Sequence, residues 1–456
     1  MKRAFLPLLL AATILYGCSS ESSLPTPTGE GVIRSFNAVP GSPEITFLIE
    51  ECPARPVRQC RGGMAYRSAV ALGEWDDFAY NFNFEIRLPG ETENRRVATE
   101  FLDIVADRDY TLVLTGDAEA PDVTVWEADV RAWSDTETVF DARFGHTSAT
   151  LGPVDVYLNA PGIAPAVGEQ IGTLNFGEVL PPADYEAGDY VITVTAAGDP
   201  ATVHYQSDTL ALVAQVQVTY TIVDGDETTT APHVLVALPA NGGAVAFVDD
   251  RFPATIRFLH GVIDAGAVDI YDDEMLTNAI VTGLEFGAVS DRIERPAEST
   301  YRFTPAGDTG AVLLERTSNL IQGTRANFVL LNSDDGLASV AYLPSLQSRT
   351  TAGRIQMFAA ALNHDPIDLF VLEPGSEPTS EGTGLIAALR VSYGQVTAAL
   401  DLVPDAYDLY LTTPGEPDTV LAGPVSIDLA LGDVLQAIAL DVVDPALAEI
   451  VFYPDP

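Results

Sequence analysis

The stretch IRFLHGVIDAGAVDIYD, from Ile256 to Asp272, decides the fold because it reads as a strand, a small-residue turn and a second strand of alternating apolar and polar residues. Such alternation, bounded by turn residues, is typical of half-buried β-strands. Three related stretches occur along the chain: IRSFNAVPGSPEITFLI from Ile33, RFGHTSATLGPVDVYLN from Arg143 and IQMFAAALNHDPIDLFVL from Ile355. The sequence therefore predicts four copies of one β-unit.

Three further signatures recur in the same order in every copy. They are LGEW, FGEV, FGAV and YGQV at Leu72, Phe176, Phe286 and Tyr393; RLPGE, VTAAGD, FTPAGD and LTTPGE at Arg87, Val194, Phe303 and Leu411; and β-rich runs near residues 110, 218, 327 and 435. We expect repeats at 32–135, 140–245, 254–345 and 353–456. Their size and short strands predict an all-β chain of four tandem antiparallel sandwiches, of immunoglobulin or transthyretin type, with the strand order left open.

The second strand of the signature carries a recurrent acid. Val154 and Val156 alternate with Asp155, and Val268 and Ile270 alternate with Asp269, so each acid should lie on the opposite face from the apolar residues. Asp368 repeats the pattern, and Thr46 takes the position in the first copy. Because only one acid occurs per repeat, we interpret them as solvent-facing residues rather than as an acid–base pair.

His146 and His260 occupy one equivalent position at the end of the first strand, where the first copy has Asn37 and the fourth Ala359. They could bind a ligand or a metal. Since asparagine can replace histidine in a backbone hydrogen bond beside a turn, the structural interpretation is favoured. His364 falls inside the turn and is not a third copy, and His204 and His233 have no motif context.

The first seventeen residues are typical of an export signal, with basic Lys2 and Arg3 followed by an apolar run that is short for a permanent membrane span. Residues 15–18, LYGC, resemble the bacterial lipobox, which implies lipidation (palmitate included) of Cys18 after cleavage. The Ser- and Pro-containing segment 18–31 would be a flexible tether. By resemblance to Gram-negative lipoproteins, Ser19 rather than Asp after the cysteine implies sorting to the outer membrane. The alternative is an ordinary secretory signal with a coincidental cysteine.

Lipidation of Cys18 would leave Cys52 and Cys60 as a pair, and export predicts a disulfide between them. A cysteine metal site is disfavoured because no histidine or second pair lies nearby. Arg55, Arg58 and Arg61 flank or lie within this loop, and Arg67 follows it. They could form a site for a carboxylate, sulfate or phosphate. The plainer interpretation pairs them with neighbouring carboxylates and places the only tryptophans, Trp75, Trp126 and Trp133, in the core.

Composition excludes several functions. With 23 basic and 65 acidic residues, the formal net charge of −42 opposes nucleic acids and anionic headgroups. Lys2 is the only lysine and would leave with the signal, which excludes lysine-dependent nucleotide and Schiff-base chemistry. We find no catalytic motif and predict no enzyme, no cofactor and no metal centre. The acidic turns Asp224–Glu227 and Asn332–Gly336 could hold structural calcium, although neither has EF-hand spacing.

The pattern Arg-Phe-x-His, a turn, Val-Asp-x-Tyr, Phe-Gly-x-Val and Ala-Gly resembles the domain-of-unknown-function family 4397. The likeness is closest at 140–245 and 254–345 and weaker at 32–135 and 353–456. It implies an exported bacterial protein of tandem β-sandwiches and no assigned activity. Two hypotheses follow: a membrane-anchored structural or adhesive array that meets an envelope protein or surface glycan, and a carbohydrate- or small-ligand-binding module set that serves uptake or hydrolysis.

Overall fold

The computed structural model describes residues 26–51, 58–240, 242–334, 336–380 and 385–453. Its strands form eight sheets of four or five strands, two to each repeat. Apart from two single-turn 3-10 helices, Ile263–Ala265 and Leu362–His364, the described secondary structure elements are strands. The predicted all-β fold of tandem sandwiches is confirmed.

The first two repeats contain eighteen strands, two of them short additions to the second repeat. The first repeat consists of β1 (Glu30–Asn37), β2 (Ile45–Glu51), β3 (Arg58–Met64), β4 (Ala69–Asp76), β5 (Ala79–Ile86), β6 (Arg95–Asp103), β7 (Arg108–Asp117) and β8 (Ala120–Asp129). The second consists of β9 (Val139–His146), β10 (Val154–Asn159), β11 (Gly172–Leu174), β12 (Ala183–Glu186), β13 (Gly188–Ala196), β14 (Asp199–Gln206), β15 (Leu210–Leu212), β16 (Gln217–Asp224), β17 (His233–Pro239) and β18 (Val245–Phe247).

The last two repeats contain eight strands each. The third consists of β19 (Ala254–His260), β20 (Val268–Tyr271), β21 (Ala279–Leu284), β22 (Ile293–Arg295), β23 (Glu298–Pro305), β24 (Leu314–Asn319), β25 (Arg325–Ser333) and β26 (Gly336–Tyr342). The fourth consists of β27 (Gly353–Ala360), β28 (Ile367–Leu372), β29 (Leu385–Val391), β30 (Leu400–Leu402), β31 (Asp405–Thr413), β32 (Glu416–Leu429), β33 (Val434–Asp441) and β34 (Ala448–Tyr453).

All four repeats share one strand order. In the third, β22-β19-β25-β26 form one sheet, which we call the inner sheet, and β21-β20-β23-β24 form the other, the outer sheet. The two central strands of every inner sheet are parallel: β1 with β7, β9 with β16, β19 with β25 and β27 with β33. The order differs from the ABED and CFG sheets of an immunoglobulin constant domain, so the sandwich is not of that type.

Alternate residues of both sheets fill one apolar core in each repeat. In the third repeat the core is aromatic: the ring of Phe258 lies 5.1 Å from that of Tyr301 and 5.6 Å from that of Phe328, measured between centroids. Such edge-to-face and tilted contacts add to the hydrophobic gain of burying the rings.

Two further apolar clusters join the repeats in pairs. Between the first and second repeats the inner sheets bury Phe36, Val113 and Trp126 against residues of β16 and β17, namely Val223, Val234, Val236 and Leu238. Between the third and fourth they bury Leu259, Val329 and Leu331 against Phe358, Ala360, Ile438, Leu440 and Tyr453. Each inner sheet is therefore covered on both faces.

The contact between the third and fourth repeats is reciprocal. A Cβ atom built on Gly287 of the third repeat would lie 3.4 Å from Leu440 Cδ1 of the fourth, and one built on Gly394 of the fourth would lie 3.5 Å from Leu331 Cδ1 of the third. The same positions thus meet in both directions, as in an isologous dimer interface.

The two pairs also contact each other. The N–H of Thr350, at the entry to the fourth repeat, donates a 3.0 Å hydrogen bond to the carbonyl of Gly41 in the first, and the Arg349 guanidinium donates to the carbonyl of Ser42. The third repeat meets the second where the N–H of Thr230 donates to the carbonyl of Gly323 at 2.8 Å. The repeats therefore do not form an extended string, because the approach to the fourth returns to the first.

Candidate functional site

The predicted lipidation and arginine-loop residues lie largely outside the described part of the chain. Cys18, Cys52 and Arg55 fall in the ranges that are not described. Arg58, Cys60 and Arg61 belong to β3, where Cys60 pairs with Leu48 of β2, but their side chains are not described. Lipidation, the Cys52–Cys60 disulfide and an anion site at Arg55, Arg58 and Arg61 all stay predictions.

Arg67, the next arginine, is paired across the boundary between two repeats. Its Nη2 lies 2.8 Å from Oδ2 of Asp226 in the turn between β16 and β17, and it also donates to Thr228 Oγ1 at 3.1 Å. Beside it, the hydroxyl of Tyr66 donates to the carbonyl of Asp224 at 2.8 Å, and burial raises the pKa of this phenol. For Arg67 the interpretation of pairing with a carboxylate is therefore confirmed.

The three tryptophans take different places. Trp126 is 2% exposed in the interface between the first two repeats, where its Nε1–H donates to the carbonyl of Gly177 at 3.0 Å. Trp75 packs at the edge of the first core, 5.4 Å from the ring of Tyr80. Trp133 lies on the connection after β8 beneath the Arg131 guanidinium. The prediction that all are core residues is wrong for Trp133, because its ring packs against a charged side chain instead.

The recurrent acids of the second strand are buried, so the prediction that they face solvent is wrong. Asp155, Asp269 and Asp368 are 2%, 7% and 3% exposed. They do lie on the face away from the core, but turns fold over that face. Asp269 shows the arrangement: its Oδ1 accepts from the N–H of Gly283 at 2.7 Å, and its Oδ2 accepts from the N–H of Gly307 at 2.8 Å. Each acid thus ties one turn and one edge strand to the centre of the outer sheet.

This arrangement explains the third sequence signature. The glycines of AAGD, PAGD and TPGE are Gly198, Gly307 and Gly415, with φ of 77°, 75° and 76°. Their N–H groups donate to Asp155 at 2.7 Å, Asp269 at 2.8 Å and Asp368 at 3.1 Å. Only glycine adopts this backbone conformation without strain, and the turn brings its N–H to the carboxylate.

His146 and His260 hold the turn after the first strand, as the structural interpretation requires. Nε2 of His146 lies 3.0 Å from the carbonyl of Gly152, and its Nδ1 accepts from the N–H of Ser148. His260 bonds the carbonyl of Gly266 and the N–H of Val262 in the same way. Burial lowers the pKa of both imidazoles. The neutral tautomer, with one donor and one acceptor, fits this pair of partners.

In the first and fourth repeats, other residues hold the turn after the first strand. Oδ1 of Asn37 accepts from the N–H of Val39 at 3.0 Å, and its amide donates to the carbonyl of Met64. In the fourth repeat, where Ala359 replaces the histidine, Asp441 accepts from the N–H groups of Leu362 and Asn363 at 2.9 and 3.0 Å. His364 lies in the turn, as predicted, with Nε2 2.9 Å from the carbonyl of Leu447.

In the acidic turn at the end of β16, carboxylate oxygens accept hydrogen bonds from other groups of the protein. Asp224 accepts from the N–H of Ala149 at 2.9 Å and the hydroxyl of Thr150 at 2.5 Å. His204 and His233 lie beside it with ring centroids 6.0 Å apart, and burial lowers the pKa of each. Among the residues that the structure describes, no group of three or more His, Cys, Asp or Glu side chains could hold a metal. Calcium binding at the acidic turns stays a prediction.

No helix in the described ranges is long and apolar enough to cross a bilayer. No curated protein matches the chain. One solved structure with detectable likeness is the product complex of a multi-modular glycogen-degrading pneumococcal virulence factor, SpuA, at 6% identity and a TM-score of 0.15. The alignment covers 88% of this chain and 37% of that one, so this chain spans little more than a third of its length, and so low a TM-score carries no argument.

A family model does match. It covers residues 254–370, from the first strand of the third repeat, β19, into β28 of the fourth, and its description is a domain of unknown function, DUF4397. Over residues 254–370 the chain is therefore similar to DUF4397 domains.

Proposed function

We propose that this chain is a lipid-anchored, non-enzymatic interaction protein of the bacterial cell envelope, held at the outer membrane through Cys18. The observation that carries the proposal is the pairing of the inner sheets. Because these sheets bury their apolar residues against each other, the four outer sheets and their loops are the surfaces left for partners. A folded scaffold whose outer sheets carry several sets of surface turns and loops suits adhesion to an envelope protein or a surface polymer.

The recurrent polar residues support a structural rather than a chemical role. Both carboxylate oxygens of Asp269 accept hydrogen bonds from backbone N–H groups, and the His260 ring is hydrogen-bonded to a carbonyl and an N–H of its own turn. A general acid or base must be able to exchange a proton with a substrate in reach. These side chains are instead committed to holding loops.

Carbohydrate binding is the second candidate, and the distribution of aromatics favours it less. A glycan platform would place exposed rings in a row on one sheet face. The exposed rings Phe101 and Phe176, at 56% and 46%, belong to different repeats, whereas the core residues Tyr205, Phe258 and Tyr301 are at most 1% exposed. The aromatic side chains thus mainly serve the cores.

Anchoring is tested by replacing Cys18 with Ser in the full-length protein and following membrane fractionation and incorporation of labelled palmitate. We expect the variant to lose the label and leave the membrane fraction. Cys52→Ser and Cys60→Ser are the matched controls, since neither should release the protein. Thiol titration of the same three proteins tests the predicted disulfide. A Cys18→Ser protein that keeps its label would overturn the anchor.

Partner binding is tested with the released Cys18→Ser protein on whole cells and on a glycan array. If binding to whole cells is saturable and is lost when the cells are treated with protease, the result supports an envelope-protein partner. Binding to glycans but not to cell-surface protein would instead support the carbohydrate-binding hypothesis. Replacing Arg55, Arg58 and Arg61 together by Ser asks whether the loop contributes, because loss of binding to acidic glycans alone would assign them an anion site.

A further inference from the structure

The outer sheet of the fourth repeat has an apolar outer face. On β28 and β31, Leu369 and Leu411 point into the core, and the alternating residues Phe370, Leu372 and Tyr410 point the other way. These three side chains form a separate cluster and are 7%, 4% and 4% exposed. A face that would ordinarily meet solvent in a two-layer sandwich is thus apolar and covered.

The cover is the segment that follows β28. The N–H of Gly375 donates to Oδ2 of Asp408 on β31 at 2.7 Å, and the N–H of Ser376 donates to the carbonyl of Glu373 at 3.0 Å. Pro378 is buried. These contacts fold residues 373–380 back across the sheet and fix them there.

A cleft of about 290 Å³ remains between this segment and the sheet. Its floor is apolar, with Phe370 and Leu372, and Leu389 of β29 stands at the rim, 57% exposed. The other described residues that line it are Asp368, Glu377, Pro378, Thr379, Ser380, Gly415 and Pro417. The volume is near the lower end of the range for small-molecule sites, which suits a ligand of one ring with a short side chain.

The cleft is acidic. Asp368 lies in its wall and accepts from the N–H of Arg390 at 2.5 Å and from that of Gly415 at 3.1 Å. Asp408 is paired with the lining residue Leu372 across the sheet, and hydrogen bonds from the Ser426 hydroxyl and the Gly375 N–H lower the pKa of its carboxyl. Glu377 is an exposed lining residue, and none of the described lining residues is basic. The local field therefore favours a cation and opposes an anion.

We propose that this cleft binds an organic ammonium ion that carries an apolar ring. The ring packs on Phe370 and Leu389, and the ammonium group lies near Glu377, where the aromatic face of Phe370 also attracts it. The inference holds whether or not the chain is lipid-anchored, so it stands or falls separately from the proposed function.

The test is calorimetric titration of the full-length protein with 2-phenylethylammonium and, as the matched anion, 3-phenylpropanoate. We expect saturable binding of the cation and none of the anion. Glu377→Lys should weaken cation binding by about fivefold or more, on the scale of one exposed ion pair, and should admit the anion. Glu373→Lys, on the same segment but outside the lining, is the control and should leave the preference for the cation unchanged.

Hydrogen exchange locates the ligand, because the cation should slow exchange in residues 373–380 and 388–391. The proposal is overturned if the cation does not bind, if the anion binds equally well to the unaltered protein, or if binding survives Glu377→Lys with no protection in these segments. Both variants alter exposed side chains, and an unchanged melting temperature checks that they fold.

Discussion

The backbone N–H of Gly307 donates a 2.8 Å hydrogen bond to Asp269, which lies 38 residues earlier in the chain. One carboxylate on the outer sheet thereby fixes the turn between β23 and β24, and through Gly283 it also fixes β21. The same relationship recurs in the second and fourth repeats. The acid of the second strand and the glycine of the later turn, which belong to two recurrent sequence signatures, are therefore the two partners of one hydrogen bond.

Replacing Asp269 by Asn should lower the free energy of unfolding of the third repeat by about 1–3 kcal/mol, because the amide group offers an N–H where a second acceptor is needed. Amide exchange at Gly283 and Gly307 should accelerate most, and exchange measurements resolve this directly. The exposed Asp264→Asn, in the same repeat, is the control. Unchanged exchange at both glycines would contradict this role of Asp269.

The buried histidines make stability depend on pH. Burial lowers the folded-state pKa of His146 and His260 below the unfolded value of about 6.5. The unfolded chain therefore binds protons first, so their contribution is fully present above pH ~6.5 and declines as the pH falls toward the folded-state pKa. The double variant His146→Asn and His260→Asn, which copies the asparagine of the first repeat, should lose less melting temperature between pH 7.5 and 5 than the original protein. If both proteins lost the same melting temperature between pH 7.5 and 5, the two histidines would not be the cause of the pH dependence.

The reciprocal interface predicts how fragments behave. An isolated third repeat, residues 254–345, would expose Leu259, Val329 and Leu331, and we expect it to dimerise through its inner sheet. A fragment of residues 254–453 should remain monomeric because the fourth repeat covers that face. Sedimentation equilibrium distinguishes the two, and Leu331→Arg in the shorter fragment should abolish the dimer. A monomeric third repeat without that substitution would show that the apolar face does not drive pairing.

Arg349 ties the fourth repeat to the first. Its burial lowers the pKa of the guanidinium to about 10, so the group stays charged at neutral pH. Arg349→Ala removes the donor to the Ser42 carbonyl and the partner of Asp401, at a cost of about 2 kcal/mol. We expect faster proteolysis within 343–352 and a larger radius of gyration by small-angle scattering. The exposed Arg316→Ala should change neither, and equal behaviour of the two variants would argue against the tie.

Strand alternation and the recurring turns were enough to predict the sandwich fold, because each signature is local. The prediction that Asp155 lies on the opposite face from Val154 was also correct. The prediction that Asp155 is exposed was wrong, because an alternating pattern cannot show that the turn at Gly198 folds over that face. Sequence reasoning also missed the pairing of the inner sheets. A signal existed in β17, where VLVAL is a continuous apolar run rather than an alternating one, as expected of a strand buried on both faces.

The cleft of the fourth repeat could not be predicted in the same way. Phe370 and Tyr410 read as ordinary strand residues, and only the return of the segment after β28 places them under a cover. The path of such a segment depends on single contacts, such as the N–H of Gly375 with Asp408, that leave no periodic trace in the sequence.

The parallel centre of each inner sheet sets the order in which the chain can fold as it is synthesised. Arg34 and Thr111 on β1 and β7 are 77 residues apart, and Arg143 and Thr219 on β9 and β16 are 76 apart. A chain that emerges from its N-terminus therefore has no completed inner sheet until most of a repeat is out, and contacts so distant in sequence form slowly. The first repeat then still shows Phe36, Val113 and Trp126 to solvent until β16 and β17 arrive. Until that moment the emerging chain exposes this apolar surface, so the unit that must be complete before the surface is buried is the pair of repeats.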